Sequence, residues 1–204
     1  MTTNPRDHWE AVWRERAPET LSWHQDHAER SLALITERVA ADAAIIDVGG
    51  GDSPLAGDLL RRGYRAVTVL DISDAAVAQG RRRLGSLAEQ VSWVAAEVTT
   101  SRPTRRYQLW HDRAVFHFLT DPSDQQCYAH TAAAAVASGG WLIVAGFASD
   151  GPEQCSGLPV QRHTSESLTE AVAPTFTPVE FIPERHPTPA GVAQSFLYAT
   201  FRRR

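Results

Sequence analysis

Residues 45–54 read IIDVGGGDSP, an apolar run that ends in an acid and continues into three glycines and a proline. An apolar run bounded by such turn residues predicts a buried strand followed by a tight loop. Glycine carries no side chain, so the backbone of this loop can approach a ligand closely. The stretch therefore predicts a strand whose carboxyl end forms one wall of a binding site.

Helix and strand patterns alternate along the chain on both sides of this loop. Strands that alternate with helices at this spacing predict a parallel sheet covered by helices on both faces. Two last strand-like runs are joined by a segment rich in proline and glycine, which predicts a terminal antiparallel hairpin. The predicted helices cover residues 26–39, 55–62, 73–85 and 122–137, and the predicted strands cover 43–48, 64–71, 91–98, 107–116, 139–147, 176–185 and 193–203.

The composition is that of a folded domain that acts on small partners. Hydrophobic residues make up 43% of the 204 residues and charged residues 22%, which is too apolar for a disordered chain. The net charge is only -4, so no strong field would attract nucleic acid or an anionic membrane. We expect a single domain over residues 1–204 that binds neither nucleic acid nor membrane.

The cysteines and the amino-terminal segment bear on cellular location. The two cysteines, Cys127 and Cys155, show no CxxC spacing, which favours neither a zinc site nor a disulfide framework. The opening residues are polar and aromatic without an apolar core typical of an export signal. We expect a cytoplasmic protein that needs no metal.

An acid at the end of the second predicted strand indicates the type of ligand. Asp71 follows Gly51 by twenty positions, and a carboxylate there can accept hydrogen bonds from both hydroxyls of a ribose. Nicotinamide cofactors use the same spacing. However, Pro54 stands where the GxGxxG motif would have its third glycine, which argues against a dinucleotide.

Three segments, IIDVGGGDSP, VTVLDIS and VSWVAAEV, resemble in order and spacing the first three motifs of the class I S-adenosylmethionine-dependent methyltransferases. The closing runs also resemble the antiparallel end of that family's sheet. The resemblance implies a three-layer, Rossmann-like α/β fold with a seven-stranded, mostly parallel sheet. It further implies a helical lid over residues 1–40, a cofactor-binding core over 41–204, and S-adenosylhomocysteine as the product of the cofactor.

The resemblance also implies roles for individual residues. The glycines would lie beside the methionine moiety, the acid after the second strand would bind the ribose, and the pair after the third strand would lie near the adenine. Glu97 departs from the family's commoner aspartate but keeps an acceptor for the adenine amino group. The implied cofactor-binding residues are Trp23, Asp47, Gly49, Gly51, Asp71, Ile72, Glu97, Val98 and Asp112.

Residues after the fourth and fifth strands are the candidates for chemistry on the acceptor. Asp112 or His117 would act as a general base, although a buried structural histidine is an open alternative. The segment 147–163 has no periodicity, as expected of a substrate loop. Tryptophans in the opening segment would exclude water, or simply pack a helix. The candidate substrate residues are Trp13, Arg113, Cys155 and His163.

The expected reaction is direct in-line transfer of a methyl group to a small-molecule acceptor, with the protein supplying position and desolvation. Thiol, amine, hydroxyl and carboxylate acceptors stay open, and the chain is expected to be a monomer or a homodimer. Two alternatives also stay open: a protein lysine methyltransferase, and a non-catalytic domain that binds S-adenosylmethionine as a sensor or scaffold.

Overall fold

Residues 4–204, which a computed structural model describes, form six α-helices and nine β-strands. Residues 1–3 of the predicted lid lie outside the described residues. The helices are α1 (Pro5–Glu15), α2 (Glu29–Thr36), α3 (Leu55–Arg61), α4 (Asp74–Leu84), α5 (Pro122–Ala135) and α6 (Ser165–Val172). The strands are β1 (Ala44–Val48), β2 (Ala66–Asp71), β3 (Val91–Ala95), β4 (Tyr107–Arg113), β5 (Val136–Phe147), β6 (Gln154–Cys155), β7 (Leu158–Pro159), β8 (Phe176–Pro187) and β9 (Ala193–Arg203).

Seven of these strands form one sheet in the order β3-β2-β1-β4-β5-β9-β8. The first five in this order are parallel, whereas β9 pairs antiparallel with both β5 and β8. The predicted α/β fold with a mostly parallel sheet and a terminal hairpin is therefore confirmed. The chain order reverses between β1 and β4, and the carboxyl ends of strands at such a point border a ligand crevice.

The sheet is buried on both faces because side chains along a strand alternate between them. Ile45 of β1 packs in the core cluster that contains Leu34 and Ile35 of α2. Ile46, one residue later, packs in the opposite cluster with Tyr128 of α5 and Leu168 of α6. The same alternation decides which polar side chains of β4 face the crevice.

Local signals in the sequence explain where two of the helices begin. Ser73 caps α4 by accepting a hydrogen bond from Ala76 N at 3.1 Å. Helix α6 was not predicted, because its eight residues follow directly on a segment without periodicity. Two features of the sequence favour a helix here: a capping box between Thr164 and Ser167, and the apolar residues Leu168 and Val172 four positions apart.

Several predicted boundaries differ from the structure. The helix predicted over residues 26–39 is shorter in the structure, where it is α2 (Glu29–Thr36). Strand β5 begins three residues earlier than predicted, at Val136. Strand β4 ends at Arg113 because the carboxylate of Asp112 accepts hydrogen bonds from the backbone of the next residues and turns the chain. Among residues 4–204, none of the helices combines the length and the apolar character needed to cross a bilayer.

Candidate active site

A large cavity lies at the carboxyl ends of the parallel strands, with about 1550 Å³ of empty space that includes its opening to solvent. Two groups of residues line it. The first group pairs each of two acids with an apolar neighbour: Asp71 and Ile72 at the end of β2, and Glu97 and Val98 after β3. The aromatic group consists of Trp9, Trp13, Trp23 and Phe118.

The glycine loop after β1 has close contacts that only glycine allows. Gly49 has a positive φ of 67°, and an added Cβ would lie 2.1 Å from the Cγ2 of Val115. A Cβ on Gly50 would lie 2.5 Å from the Asp47 carboxylate, and one on Gly51 would lie 2.8 Å from Oδ2 of Asp71. The sequence indicated the outer two glycines, and the structure adds that the middle one is equally constrained.

Asp71 lies at the end of β2 and is 5% exposed. Burial raises the pKa of this carboxyl to about 7, although hydrogen bonds from the backbone N–H groups of Ser73 and Gly51 favour its charged form. The nearby carboxylate of Asp47 also raises this pKa. A buried acceptor with two fixed backbone donors is well suited to bind vicinal hydroxyls of a ligand.

The residues after β3 provide a polar and an apolar contact in the same cavity. Glu97 is partly buried, and its Oε1 accepts a hydrogen bond from the hydroxyl of Thr99 at 3.3 Å. Val98 is 4% exposed, and Leu119 joins it in the cavity wall. Together they suit a flat, largely apolar ring that carries a hydrogen-bond donor.

A second, smaller cavity of about 590 Å³ adjoins the glycine loop, and three of its lining residues form a buried hydrogen-bond network. Nδ1 of His111 lies 2.7 Å from Oδ1 of Asp47, and its Nε2 lies 2.9 Å from the hydroxyl of Ser31. Asp47 and His111 are register partners across β1 and β4. The other carboxylate oxygen of Asp47, Oδ2, is buried without a hydrogen-bond partner within the described chain.

The structure does not support Asp112 as a general base or as a direct cofactor contact. Its side chain is fully buried on the α5 side of the sheet and lines neither cavity. The carboxylate accepts hydrogen bonds from Tyr128 Oη at 2.7 Å, Val115 N at 2.9 Å and Phe116 N at 3.1 Å. It therefore stabilises the turn after β4, because the alternation along the strand points Asp112 away from the crevice.

His117 likewise lies in the core and lines neither cavity. Its Nδ1 accepts a hydrogen bond from Phe147 N at 3.3 Å, so it contacts β5 rather than a ligand. Burial lowers the pKa of this imidazole to about 3, and the nearby His163 and Arg113 contribute in the same direction. A base with so low a pKa accepts protons poorly near neutral pH.

The four candidate substrate residues separate into two groups. Trp13, Arg113 and Cys155 all line the large cavity. His163 lines neither cavity; its ring stacks on Phe116 at 5.2 Å, and burial lowers its pKa to about 4. The predicted role of His163 in substrate binding is therefore not supported by its position.

The amino-terminal segment covers the cavity with aromatic side chains. The ring of Trp9 lies 5.8 Å from that of Trp23 and 5.0 Å from that of Phe118, and Trp13 lies 6.2 Å from Trp23. Helix α1 is anchored by Glu10, whose carboxylate accepts hydrogen bonds from the start of α4. Phe118 was missed because nothing in the sequence places it beside α1.

Comparisons with known proteins match about half of the chain to methyltransferase sequences and nearly all of it to solved methyltransferase folds. A family model described as a methyltransferase domain matches residues 45–140. The eEF1A lysine and N-terminal methyltransferase of Mus musculus is 23% identical over 120 residues, which cover 58% of this chain. The match covers 17% of that protein, so the chain spans about one sixth of the curated relatives that it matches.

Solved structures resemble the chain over nearly all of its length. A S-adenosylmethionine-dependent methyltransferase from Anabaena variabilis superposes with a TM-score of 0.78 at 14% identity, over 99% of this chain and 96% of its own. The 1,6-didemethyltoxoflavin-N1-methyltransferase of Burkholderia thailandensis, solved with its substrate and S-adenosylhomocysteine, gives a TM-score of 0.67 at 24% identity. That match covers 97% of this chain and 83% of the other.

Proposed function

We propose that this chain is a class I S-adenosylmethionine-dependent methyltransferase that methylates a small acceptor molecule held among the lid tryptophans. The observation that supports the proposal is a continuous cavity. One cavity joins Asp71 and Glu97, which suit the adenosine part of the cofactor, to Trp9, Trp13 and Trp23. When bound, the cofactor supplies a methyl group on a positively charged sulfur.

The residues of this chain fit S-adenosylmethionine at several points. We expect Asp71 to bind the ribose hydroxyls, with Ile72 beside them, and Glu97 with Val98 to contact the adenine. Gly49 and Trp23 line both cavities, so we expect the backbone of Gly49 to lie beside the methionine part. Gly51 lines neither cavity and packs against Asp71, so we expect it to support the ribose site instead. The unpartnered Oδ2 of Asp47 is a suitable acceptor for the methionine ammonium group.

The chain contributes to the reaction mainly by position and by excluding water. The tryptophans of residues 1–40 lie over the core of residues 41–204, so we propose that the lid and the core act as one catalytic unit. An aromatic wall desolvates the acceptor and favours the positive charge of a sulfonium group. The rigid loops after β1, β2 and β4 hold both reactants in one geometry.

His8 is the residue that we propose as the proton acceptor in place of Asp112 and His117. It lies on α1 and lines the large cavity, with its ring 5.2 Å from that of Trp9. Its Nε2 is buried and has no hydrogen-bond partner within the described chain, which leaves it available to an acceptor proton. We expect His8→Gln to lower kcat more than the affinity for S-adenosylhomocysteine.

The experiment that tests the function is a screen of small molecules by mass spectrometry for the gain of one methyl group. The screen includes thiols, amines, alcohols and carboxylic acids, with reactions that lack S-adenosylmethionine as the inactive control. Methylation of at least one class by the wild-type chain, and only when S-adenosylmethionine is added, is the expected result. Tight binding of S-adenosylhomocysteine without turnover of any acceptor would instead favour the non-catalytic sensor.

Methylation of a protein is the second candidate, because the curated relatives named above are lysine and N-terminal methyltransferases. Transfer of radiolabelled methyl groups into lysate proteins, with no gain of methyl by small molecules, would favour it.

A further inference from the structure

Arg113 is the last residue of β4, and its side chain lies where the two cavities meet. Its Nε donates a hydrogen bond to the hydroxyl of Tyr198 at 3.1 Å, and its Nη1 donates one to the carbonyl of Trp23 at 3.2 Å. The guanidinium also stacks over the ring of Phe196 at 4.7 Å. Contacts with α2's preceding loop and with β9 thus hold this cation in one orientation.

One nitrogen of this fixed cation has no partner. Nη2 of Arg113 is buried and forms no hydrogen bond among residues 4–204, and the side chain forms no ion pair within that part of the chain. A buried donor nitrogen on a partly buried cation is unfavourable unless a ligand supplies an acceptor and a counter-charge. Cys155, which also lines the cavity, does not supply it, since burial raises the pKa of its thiol to about 11.

The surroundings of Arg113 determine what kind of ligand would complete it. Trp9, Trp13 and Trp23 provide an aromatic wall, and Leu158 adds an apolar contact from the β6–β7 hairpin. A ligand that fits both features has a flat apolar body and an oxyanion. We propose that Arg113 binds a carboxylate or related oxyanion on the acceptor, so that the substrates of this site are aromatic or apolar acids.

This inference rests on the proposed function, because it assigns the acceptor part of the same cavity. The oxyanion has a second possible source, the carboxylate of the cofactor's methionine part. Arg113 lies close enough to Cys155 on the β6–β7 hairpin for its charge to lower the thiol pKa against burial. Arg113 shares the large cavity with this hairpin, which favours the acceptor as the source; because Arg113 also lines the smaller cavity beside Asp47 and Gly49, the cofactor measurements below decide between the two sources.

The test uses two probes of equal shape, 2-naphthoate and 2-naphthamide, with the full chain saturated with S-adenosylhomocysteine. Their dissociation constants are measured by calorimetry for the wild type, Arg113→Gln and Arg113→Lys. We expect the wild type to bind the carboxylate at least tenfold more tightly than the amide. Arg113→Gln should abolish this preference, whereas Arg113→Lys should retain part of it because the charge remains.

Arg162→Gln is the matched control, since Arg162 pairs with Glu153 at 3.1 Å and lines neither cavity. It should leave the preference unchanged. Equal affinity of the wild type for the two probes, or binding of neither, would overturn the oxyanion site. That preference needs no variant, so it can be measured even if Arg113→Gln fails to fold.

Cofactor binding separates the two sources of the oxyanion. If Arg113→Gln weakens S-adenosylhomocysteine tenfold but leaves 5′-methylthioadenosine unchanged, the oxyanion is the cofactor's carboxylate and the acceptor assignment is wrong. Unchanged affinity for both compounds supports the acceptor. Failure of the wild type to bind S-adenosylhomocysteine at all would contradict the proposed function itself, whatever the naphthoate result.

Discussion

Replacing Asp71 with asparagine keeps the shape of the side chain and removes its charge. Hydrogen bonds to a charged acceptor contribute about 1.5–3 kcal/mol each, against about 0.5–1.5 kcal/mol for a neutral one. Asp71 is 5% exposed and its pKa is about 7, so at pH 8 two ribose hydroxyls would lose a buried, ionised acceptor. A loss of about 1 kcal/mol for each hydroxyl gives about 2 kcal/mol, or roughly thirtyfold in the dissociation constant.

The assay is calorimetric titration of S-adenosylhomocysteine at pH 8 into the wild type and into Asp71→Asn. A second pair of ligands isolates the ribose contact: adenosine, and 2′,3′-dideoxyadenosine, which lacks both hydroxyls. We expect Asp71→Asn to weaken adenosine by a similar factor but to change the affinity for the dideoxy compound by less than threefold. Such non-additivity is the signature of a direct contact.

Asp74→Asn is the control, because Asp74 lies three residues away on the surface, where it pairs with Arg6 at 3.2 Å. It should leave every affinity within twofold of the wild type. Equal weakening of adenosine and of the dideoxy compound by Asp71→Asn would refute the ribose assignment, since the variant would then act by disturbing the glycine loop.

The other predictions concern pH, the glycine loop and the turn after β4. The raised pKa of Asp71 stabilises the folded chain at low pH, where the carboxyl is protonated, and this contribution to stability is lost as the pH rises through about 7. The affinity for S-adenosylhomocysteine should rise over the same pH range, and this pH dependence should disappear in Asp71→Asn. Gly49→Ala places a Cβ 2.1 Å from a methyl group, so it should cost about 1–3 kcal/mol of stability and most of the cofactor binding. Gly63→Ala is the control, since an added Cβ there meets nothing within 4 Å and should leave cofactor binding intact. Equal losses of affinity in the two variants, measured by calorimetry, would contradict this prediction. Tyr128→Phe removes a hydrogen-bond donor to Asp112 and should lower the free energy of unfolding, measured in urea, by about 1–3 kcal/mol. The affinity for S-adenosylhomocysteine should not change; a loss of affinity would indicate that Asp112 takes part in binding after all.

The local pattern of the sequence determined the glycine turn, the acid after β2 and the start of α4. Each of these depends on neighbours within a few positions. The positive φ angles of Gly49 and Gly51 favour glycine, and Ser73 caps the helix that follows Asp71. The parallel sheet was predicted from the alternation of strands and helices, because a helix that packs on the sheet brings the next strand back parallel to the one before it.

The polar residues of β4 show where the sequence was insufficient. His111, Asp112 and Arg113 are adjacent, and both faces of this strand are buried, so hydrophobicity alone does not tell which side chains face the crevice. The chemistry of their side chains predicted Asp112 and His117 as general bases, but chemistry does not indicate which way a side chain points. The structure directs Asp112 to Tyr128 and leaves His111 and Arg113 on the cavity side.

Contacts between distant segments decided the remainder of the site. Arg113 is held by Tyr198, 85 positions away, and by the carbonyl of Trp23, 90 positions away. His111 reaches Ser31 across 80 positions. The sequence determined the fold and the glycine loop because these arise from short-range periodicity. The cavity wall around Arg113 exists only where the amino-terminal segment, β4 and β9 pack together in three dimensions.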